Sequence, residues 1–343
     1  MMDPQSKDVK DVNYKNYKKI KDREICPTKE VDEKHFIEPD LAWLLHLFPH
    51  LFKRDEKTFK EVFNCVHCNA CHTSNSRYYL KRKLQDSGLM AKDTELMIES
   101  FKKFGTPFFT NEYKFKIPET VPKKSDKLVF MGCLSYIKIP RYTLNAINYL
   151  LNKKIHFTIL DQEICCGIPL LDSGEFGILK DLIEKNIKIF NSGGFKEIIC
   201  VCPACYDVFN NKDIYKNRIK PKVVFISDYL QPLKDKRDES ISIQHLCQLN
   251  YRGREDVCKF VDNVLIESGF KMMTNEKHWC CGGGMGVMHI WDNIEKIARI
   301  RANDFHGDIL TTYCPSCYHV LKLFCRREKI KPKLIDTFEL LTE

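Results

Sequence analysis

The chain has 343 residues, 43% of them hydrophobic, which excludes a collagen, a coiled coil and a long disordered protein. Its formal net charge at pH 7 is +9, but the basic residues are spread along the chain. No zinc-finger, helix-turn-helix or RNA-binding signature accompanies them, so we expect no nucleic-acid partner. The charge indicates a lysine-rich surface, or a surface that docks onto an acidic protein.

The most apolar stretch near the N-terminus is 41–52, which contains two histidines and a proline. It is much shorter than the roughly 20 residues that cross a bilayer. The first residues, MMDPQSKDVK, are polar and are not followed by the apolar segment of a secretory signal. We therefore expect a cytoplasmic protein with no direct membrane span.

The first elements along the chain are helical. Residues 1–24 are charged and lack periodic apolar positions, which predicts a flexible basic arm. Residues 25–122 form a helical domain, because apolar residues recur there at steps of three and four. Its helical segments are LAWLLHLFPHLF, KTFKEVF, RYYLKRKL and TELMIESFKKF. The proline-dotted stretch 117–127 is predicted to be a linker.

After the linker, strands and helices alternate, which predicts an α/β domain with a largely parallel sheet. The predicted strands are KLVFMGC, IHFTILDQEICCG and VVFISDYL, and EIICVCPACYDVF is predicted to form a strand, a turn and the start of a helix. The predicted helices are RYTLNAINYLLNKK and LKDLIEKNIKIFNSGG.

The same order then recurs after about 114 residues, which indicates an internal duplication. The recurring segments are ISIQHLC, EDVCKFVDNVLIESGF, WCCGGG, DNIEKIARIRANDF and DILTTYCPSCYHVLKLF. We place the first copy at 123–236 and the second at 237–343.

The cysteines are the outstanding feature of the composition, at 17 in the chain. In a large chain without an export signal, clustered cysteines are more often metal ligands or redox groups than disulfides. Each copy contains one C…CCG…CPxC pattern. The first pattern consists of Cys133, Cys165, Cys166, Cys202 and Cys205. The second pattern consists of Cys247, Cys280, Cys281, Cys314 and Cys317.

The position of these cysteines predicts two metal centres. They stand at strand ends or in the turns that follow, and such ends meet in one crevice of an open α/β sheet. The CPxC turn opens a helix, whose N-terminus favours thiolates. Gly167 and the run 282–284 are expected to let the backbone approach a bulky inorganic group. Five soft thiolates suit a multi-iron cluster, while a zinc site with a spare cysteine and inert buried thiols are the alternatives.

The two copies resemble the cysteine-rich CCG domains of the catalytic B subunit of heterodisulfide reductase, over about 215 residues and with all ten motif cysteines. Related domains occur in iron–sulfur subunits of glycolate, lactate and glycerol-3-phosphate oxidising systems and in thiol-linked fumarate reductase. The resemblance implies two Rossmann-like CCG domains, each holding a non-cubane [4Fe–4S] cluster. The second copy departs from the family pattern at QHLCQL, where an Asp-Pro is expected before the cysteine. This departure affects the expected substrate, whereas the expected cluster ligands are unchanged.

A further cysteine motif lies in the helical domain. Cys65, Cys68 and Cys71 form CxxCxxC, but the place of the usual fourth cysteine is occupied by Asn75–Ser76. Cys26, followed by proline, lies upstream and is predicted to complete a cubane [4Fe–4S] site, as crossed ligands do in two-cluster ferredoxins. The region resembles the C subunit of heterodisulfide reductase, a helical ferredoxin, with one cluster lost. A three-cysteine cluster with an open iron and a zinc site are the alternatives.

The resemblance implies an oxidoreductase with a role in methanogenesis, in which the ten cysteines of the two patterns are catalytic through the clusters they bear. Electrons would pass from the cubane to the two non-cubane clusters. There a small disulfide or thiol substrate, such as coenzyme M joined to coenzyme B, would react. A flavoprotein or ferredoxin-like subunit would be the electron-transfer partner.

Two other functions stay open from the sequence. One is a non-catalytic electron-transfer subunit of a flavin-linked dehydrogenase for glycolate, lactate or glycerol 3-phosphate, or of a fumarate-type enzyme. The other is a zinc-stabilised scaffold. Two complete patterns favour the catalytic role. Three cysteines outside the motifs are interpreted as packing residues, and they are Cys200, Cys258 and Cys325.

Overall fold

The computed structural model describes most of the chain, namely residues 26–71, 74–211, 214–275, 280–284 and 291–342. The predicted basic arm, 1–24, lies outside the described residues. Among the residues described, no helix combines the length and the apolar character needed to cross a bilayer.

The first part of the described chain is helical, as the periodicity predicts. Its helices are Pro27–Val31 (α1), Pro39–Leu47 (α2), Glu56–Phe63 (α3), Ser74–Gln85 (α4) and Lys92–Phe104 (α5). The Asp55 carboxylate caps α3 by accepting from the Thr58 backbone N–H at 2.8 Å. Helix α5 ends at Gly105, whose φ of 69° stops the helix. Residues 105–126 carry no helix or strand, so the last helix of this part ends before the predicted domain boundary at 122.

The first sheet is parallel, with the strand order β1-β2-β3. Its strands are Lys127–Phe130 (β1), Glu197–Cys200 (β2) and Lys222–Phe225 (β3). Its helices are Cys133–Lys138 (α6), Pro140–Asn152 (α7), Ile168–Ser173 (α8), Phe176–Ser192 (α9) and Pro203–Asn210 (α10). In register, Leu128 lies beside Ile198, which lies beside Val223. The short apolar strands are covered by helices, as parallel strands require.

The second sheet repeats this arrangement, with the order β5-β4-β6-β7. Its strands are Ser240–Ile243 (β4), Lys271–Met272 (β5), Ile309–Thr312 (β6) and Lys333–Asp336 (β7), and all of its pairs are parallel. Its helices are Cys247–Asn250 (α11), Glu255–Glu267 (α12), Trp291–Asn303 (α13), Pro315–Glu328 (α14) and Thr337–Leu340 (α15). The predicted duplication in α/β form is therefore confirmed.

Two strand predictions differ from the structure. The IHFTIL segment forms a single bridge, in which Thr158 exchanges backbone hydrogen bonds with Lys127 and Val129 at 2.9 Å. It does not continue as a strand: the Met131 N–H donates to the Glu163 carboxyl group at 2.7 Å, and the Leu160 carbonyl accepts from the Tyr113 hydroxyl at 2.7 Å. The VVFISDYL strand ends at Phe225 and continues as a 3-10 turn, while β7 was not predicted at all.

The helical part and the two copies share one buried core. Tyr78 and Phe101 from α4 and α5 belong to the same apolar cluster as residues of both sheets. Helix α4 also contacts the end of α8, where the Gln85 side-chain amide donates to the Ser173 carbonyl at 2.6 Å. The predicted boundaries near 122 and 236 therefore separate segments of sequence that pack against one another.

A glycine at the end of α8 allows this close packing. Gly174 has φ +84°, and a Cβ there would lie 2.8 Å from both the Arg82 backbone nitrogen and the Lys81 Cβ. We expect Gly174→Ala to lower the free energy of unfolding by about 2–4 kcal/mol, since backbone strain and overpacking add. Gly194→Ala is the matched control, because its φ is +73° with nothing within 4 Å. Denaturant unfolding of the two variants checks this, and equal losses would contradict it.

Candidate metal centres

The first cysteine set lies at the carboxyl ends of β1 and β2 and in the loop before α8. The sulfur atoms of Cys133 and Cys165 are 3.4 Å apart. Cys166 contacts both Cys165 and Cys205, and Cys205 contacts Cys202. All five are buried. The structure therefore brings the complete predicted set together.

The second set repeats this arrangement. The sulfur atoms of Cys247 and Cys280 are 3.6 Å apart. Cys281 contacts both Cys280 and Cys317, and Cys317 contacts Cys314. Cys247 is half-buried and the other four are buried. Here too, all five predicted cysteines are neighbours.

Glycines let the backbone approach these thiols. A Cβ on Gly132, whose φ is +85°, would lie 3.2 Å from the Cys205 sulfur. A Cβ on Gly283 would lie 3.2 Å from the Cys281 sulfur. The Gly167 backbone N–H donates to the Cys165 sulfur at 3.5 Å, and a Cβ at this residue would meet Leu179 at 2.5 Å. Its conformation serves the packing of α8 against α9.

A buried carboxyl group, missed from the sequence, holds the loop of the first set. Glu163 is fully buried and accepts from the backbone N–H groups of Met131 and Gly132 at 2.7 and 2.9 Å. Burial raises the pKa of Glu163 to about 8, although these two hydrogen bonds oppose the shift. Glu163 stands two residues before the paired cysteines, and the equivalent residue of the second copy is His278, so the repeat does not single out this carboxyl group. His278 lies outside the described residues.

The second set has a buried cation nearby. Arg301 is 2% exposed, donates to the Gln244 side-chain carbonyl at 2.7 Å and forms an ion pair with Asp304. Burial lowers the pKa of Arg301, while Asp304 and the nearby Cys317 and Cys281 oppose the shift. The two copies thus differ in the charge beside their cysteines.

The four N-terminal cysteines also come together. Cys68 lies close to Cys26 and Cys71, and Cys65 lies close to Cys71. Cys26 precedes α1, which brings it from 39 positions upstream to the CxxCxxC loop. The structure therefore places Cys26 where the crossed-ligand prediction requires it, and its role as a ligand stays a prediction.

The three sets are arranged in a different order from that in the sequence. The N-terminal set lies against the second copy, since Cys68 is close to Cys247 and shares a buried cluster with Cys280. A Cβ on Gly284 would lie 2.2 Å from the Val66 carbonyl oxygen, so the CCGGG loop touches the CxxCxxC loop. The second and first sets are neighbours through Cys314 and Cys202. The second set is therefore in the middle.

A cavity of about 280 Å³ lies between the copies. All five cysteines of the first set line it, together with the glycines 282–284 of the second copy. Among the described residues of its lining, His319 is the ionisable group other than the cysteines. Burial lowers the pKa of His319, and the charges of Lys138 and Lys322 add to the shift. The site therefore offers an apolar chamber with thiols on one wall.

The donor sets fit a group larger than one ion. Within the described ranges, no group of three or more His, Cys, Asp and Glu side chains is arranged to hold a single metal ion. Each five-thiol set extends along a contiguous row of soft donors, and glycines leave room beside it. The first row lies open to the cavity, and these features suit a multi-metal cluster.

The comparisons with known proteins agree with this internal repeat. Residues 128–210 and 241–322 each match the family described as a cysteine-rich domain, CCG. The chain contains two CCG domains. All ten cysteines of the two patterns fall inside the matched stretches, whereas the four N-terminal cysteines lie outside them.

The similar proteins are distant in sequence. An uncharacterised iron–sulfur protein of Methanocaldococcus jannaschii is 26% identical, over 93% of this chain and 70% of the relative. A similarly named protein of Methanococcus maripaludis is 25% identical, over 78% of this chain and 58% of its own length. The B subunit of the fumarate reductase (CoM/CoB) of Methanothermobacter marburgensis is 26% identical, over 62% of this chain and 45% of its own length. The chain thus spans between 45% and 70% of these relatives.

Proposed function

We propose that the chain is an iron–sulfur oxidoreductase subunit of the heterodisulfide-reductase type. In this proposal Cys26, Cys65, Cys68 and Cys71 hold a cubane [4Fe–4S] cluster, and each CCG domain holds a non-cubane [4Fe–4S] cluster. The observation that carries the proposal is that two complete five-cysteine sets lie side by side, the first of them lining an apolar cavity between the two copies. The names of the relatives, which include iron–sulfur proteins and a CoM/CoB-linked fumarate reductase, support it.

The substrate in this proposal is a small disulfide, or the thiols formed from it. Reduction cleaves the S–S bond, takes up two electrons and two protons, and leaves two thiols. The clusters, when bound, supply the electrons one at a time and stabilise sulfur between the two steps. The apolar lining of the cavity excludes water from the reacting sulfur, and Cys202 and Cys205 lie in its wall.

The arrangement of the sets supports one order of electron transfer. Electrons from a flavoprotein or ferredoxin-like partner would reach the N-terminal set first, because Cys26, Cys65 and Cys71 are partly exposed. They would pass next to the second CCG domain, because Cys68 lies close to Cys247. The first CCG domain and the cavity would come last in this order.

Anaerobic purification with metal and labile-sulfide analysis tests the cofactors. We expect about twelve iron atoms per chain, four for each of three clusters, and EPR signals that differ from those of ordinary cubanes at two sites. A colourless protein that contains only zinc would contradict the proposal and leave a scaffold role.

Turnover tests the reaction. With a reduced viologen as electron donor, the fully loaded protein should reduce a small disulfide, whereas a protein with the iron chelated should not. Loaded protein that accepts electrons but never reduces a disulfide would instead indicate an electron-transfer subunit of a flavin-linked dehydrogenase.

A further inference from the structure

Two buried cations on helix α4 lie among the N-terminal cysteines. Arg77 and Lys81 are one helical turn apart and only 1% and 0% exposed. In the sequence they belong to the charged segment RYYLKRKL, which is typical of a solvent-exposed helix face. Their burial therefore needs a physical explanation.

The guanidinium of Arg77 faces the cysteines. Its Nη2 donates to the Ile37 carbonyl at 2.7 Å, while Nε and Nη1 have no hydrogen-bond partner among the residues that the structure describes. The guanidinium lies close to Cys65, Cys71 and Cys26, and it contacts the Cys71 side chain directly. The groups that stabilise this cation are thus the thiols predicted to be ligands.

Lys81 reaches the same loop from the next turn. Its ammonium contacts His67 Nε2 at 2.7 Å and donates to the Asp172 carbonyl at 2.7 Å. It also lies 4.8 Å from the centre of the Phe63 ring. His67 stands between Cys65 and Cys68, so Lys81 connects the CxxCxxC loop to the first CCG domain.

Burial of two cations is costly unless an anion compensates them. Asp172, itself buried, lies close enough to Lys81 to stabilise part of this charge. Four thiolates around a cubane cluster would provide the anion that faces Arg77, and reduction would make it more negative by one charge. A fixed positive charge beside the cluster therefore favours the reduced form, since cluster potentials follow charge and hydrogen bonds to sulfur. The first CCG set has the Glu163 carboxyl nearby instead.

From this geometry we infer that Arg77 and Lys81 hold the reduction potential of the N-terminal cluster above the value it would have without them. The inference rests on the proposed function, because it needs a cluster on Cys26, Cys65, Cys68 and Cys71. It assigns the two cations a tuning role: Arg77 by charge and N–H groups directed at the cluster sulfurs, Lys81 by charge alone. The N-terminal site thereby becomes a favourable acceptor for electrons from a partner.

An EPR-monitored redox titration of the loaded protein tests this role. At the wild-type midpoint potential, Arg77→Gln should lower the ratio of reduced to oxidised N-terminal cluster about tenfold, which corresponds to 59 mV for one electron. Lys81→Met should lower it in the same direction, and Arg77→Lys should restore part of the ratio. Arg82→Gln is the matched control on the same helix, since its side chain is 34% exposed and pairs with Asp86.

An unchanged midpoint in Arg77→Gln with the cluster intact would overturn the inference, as would an equal shift in Arg82→Gln. If the variants do not fold, the wild-type protein with ¹⁵N-labelled arginine still gives a result. Pulsed EPR of the reduced N-terminal cluster should then detect a hyperfine coupling to guanidinium nitrogen, and its absence would overturn the inference. Iron analysis that finds no N-terminal cluster would instead contradict the proposed function itself.

Discussion

Cys166→Ser is expected to remove about four iron atoms per chain and to lower disulfide reduction by on the order of 100-fold or more. Cys166 occupies the middle of the first set, where its sulfur contacts both Cys165 and Cys205. A serine oxygen is a hard donor and a poor replacement for thiolate in a cluster. Iron analysis, EPR of each cluster and turnover with a reduced viologen check this result.

The matched control is Cys325→Ser in α14. This thiol is also buried, and burial raises its pKa to about 12, but it belongs to neither set. The control should keep all of its iron and its activity. A Cys166→Ser protein with the full iron content and normal turnover would contradict the assignment of the first set.

Arg252→Met is expected to lower the free energy of unfolding by about 3–5 kcal/mol. The Arg252 guanidinium forms a largely buried ion pair with Asp207, which joins the second CCG domain to the first. Burial raises the pKa of Asp207, and the charge of Arg252 opposes this shift. Loss of the cation would leave the Asp207 carboxylate buried without its partner.

Denaturant unfolding of the cluster-loaded protein under anaerobic conditions measures this loss. Arg218→Met is the control, because its pair with Glu184 is 40% and 53% exposed. Exposed pairs contribute about 0–1 kcal/mol, so the control should unfold almost like the wild type. The double variant Arg252→Met with Asp207→Leu should recover much of the loss. Equal effects of the two single variants would contradict a buried coupling between the CCG domains.

The α/β repeat and its cysteines could be predicted because their signals are local. A short apolar run followed at once by a cysteine, as at 127–133 and 309–314, defines both a buried parallel strand and the residue at its end. Helices such as Glu255–Glu267 follow from apolar periodicity alone. Because the pattern occurs twice, a strand or helix predicted in one copy supports the equivalent prediction in the other.

The remaining features depend on contacts between distant segments. Burial of Arg77 and Lys81 could not be predicted, because the adjacent Arg82 and Lys83 make the segment typical of a solvent-exposed helix. The predicted strand around Thr158 is limited to one bridge, because the Glu163 side chain accepts the Met131 N–H that would extend it. The order of the cysteine sets likewise follows from packing between the helical part and the second CCG domain.

The helical part and the two CCG domains behave as two complementary pieces of one chain. It lies against both CCG domains, with Lys81 donating to the Asp172 carbonyl at 2.7 Å and Asn69 donating to the Tyr251 carbonyl at 3.3 Å. The stretch 106–126, without helix or strand, thus acts as a tether between two pieces that are complementary in shape. Phe108, Tyr113 and Val121 of this stretch pack against the core. Covalent linkage through it raises the effective concentration of one piece for the other, to the order of millimolar for a short linker. If the chain were cut within this stretch, the helical part and the pair of CCG domains would have to associate as two molecules. Covalent linkage makes their association independent of the protein concentration.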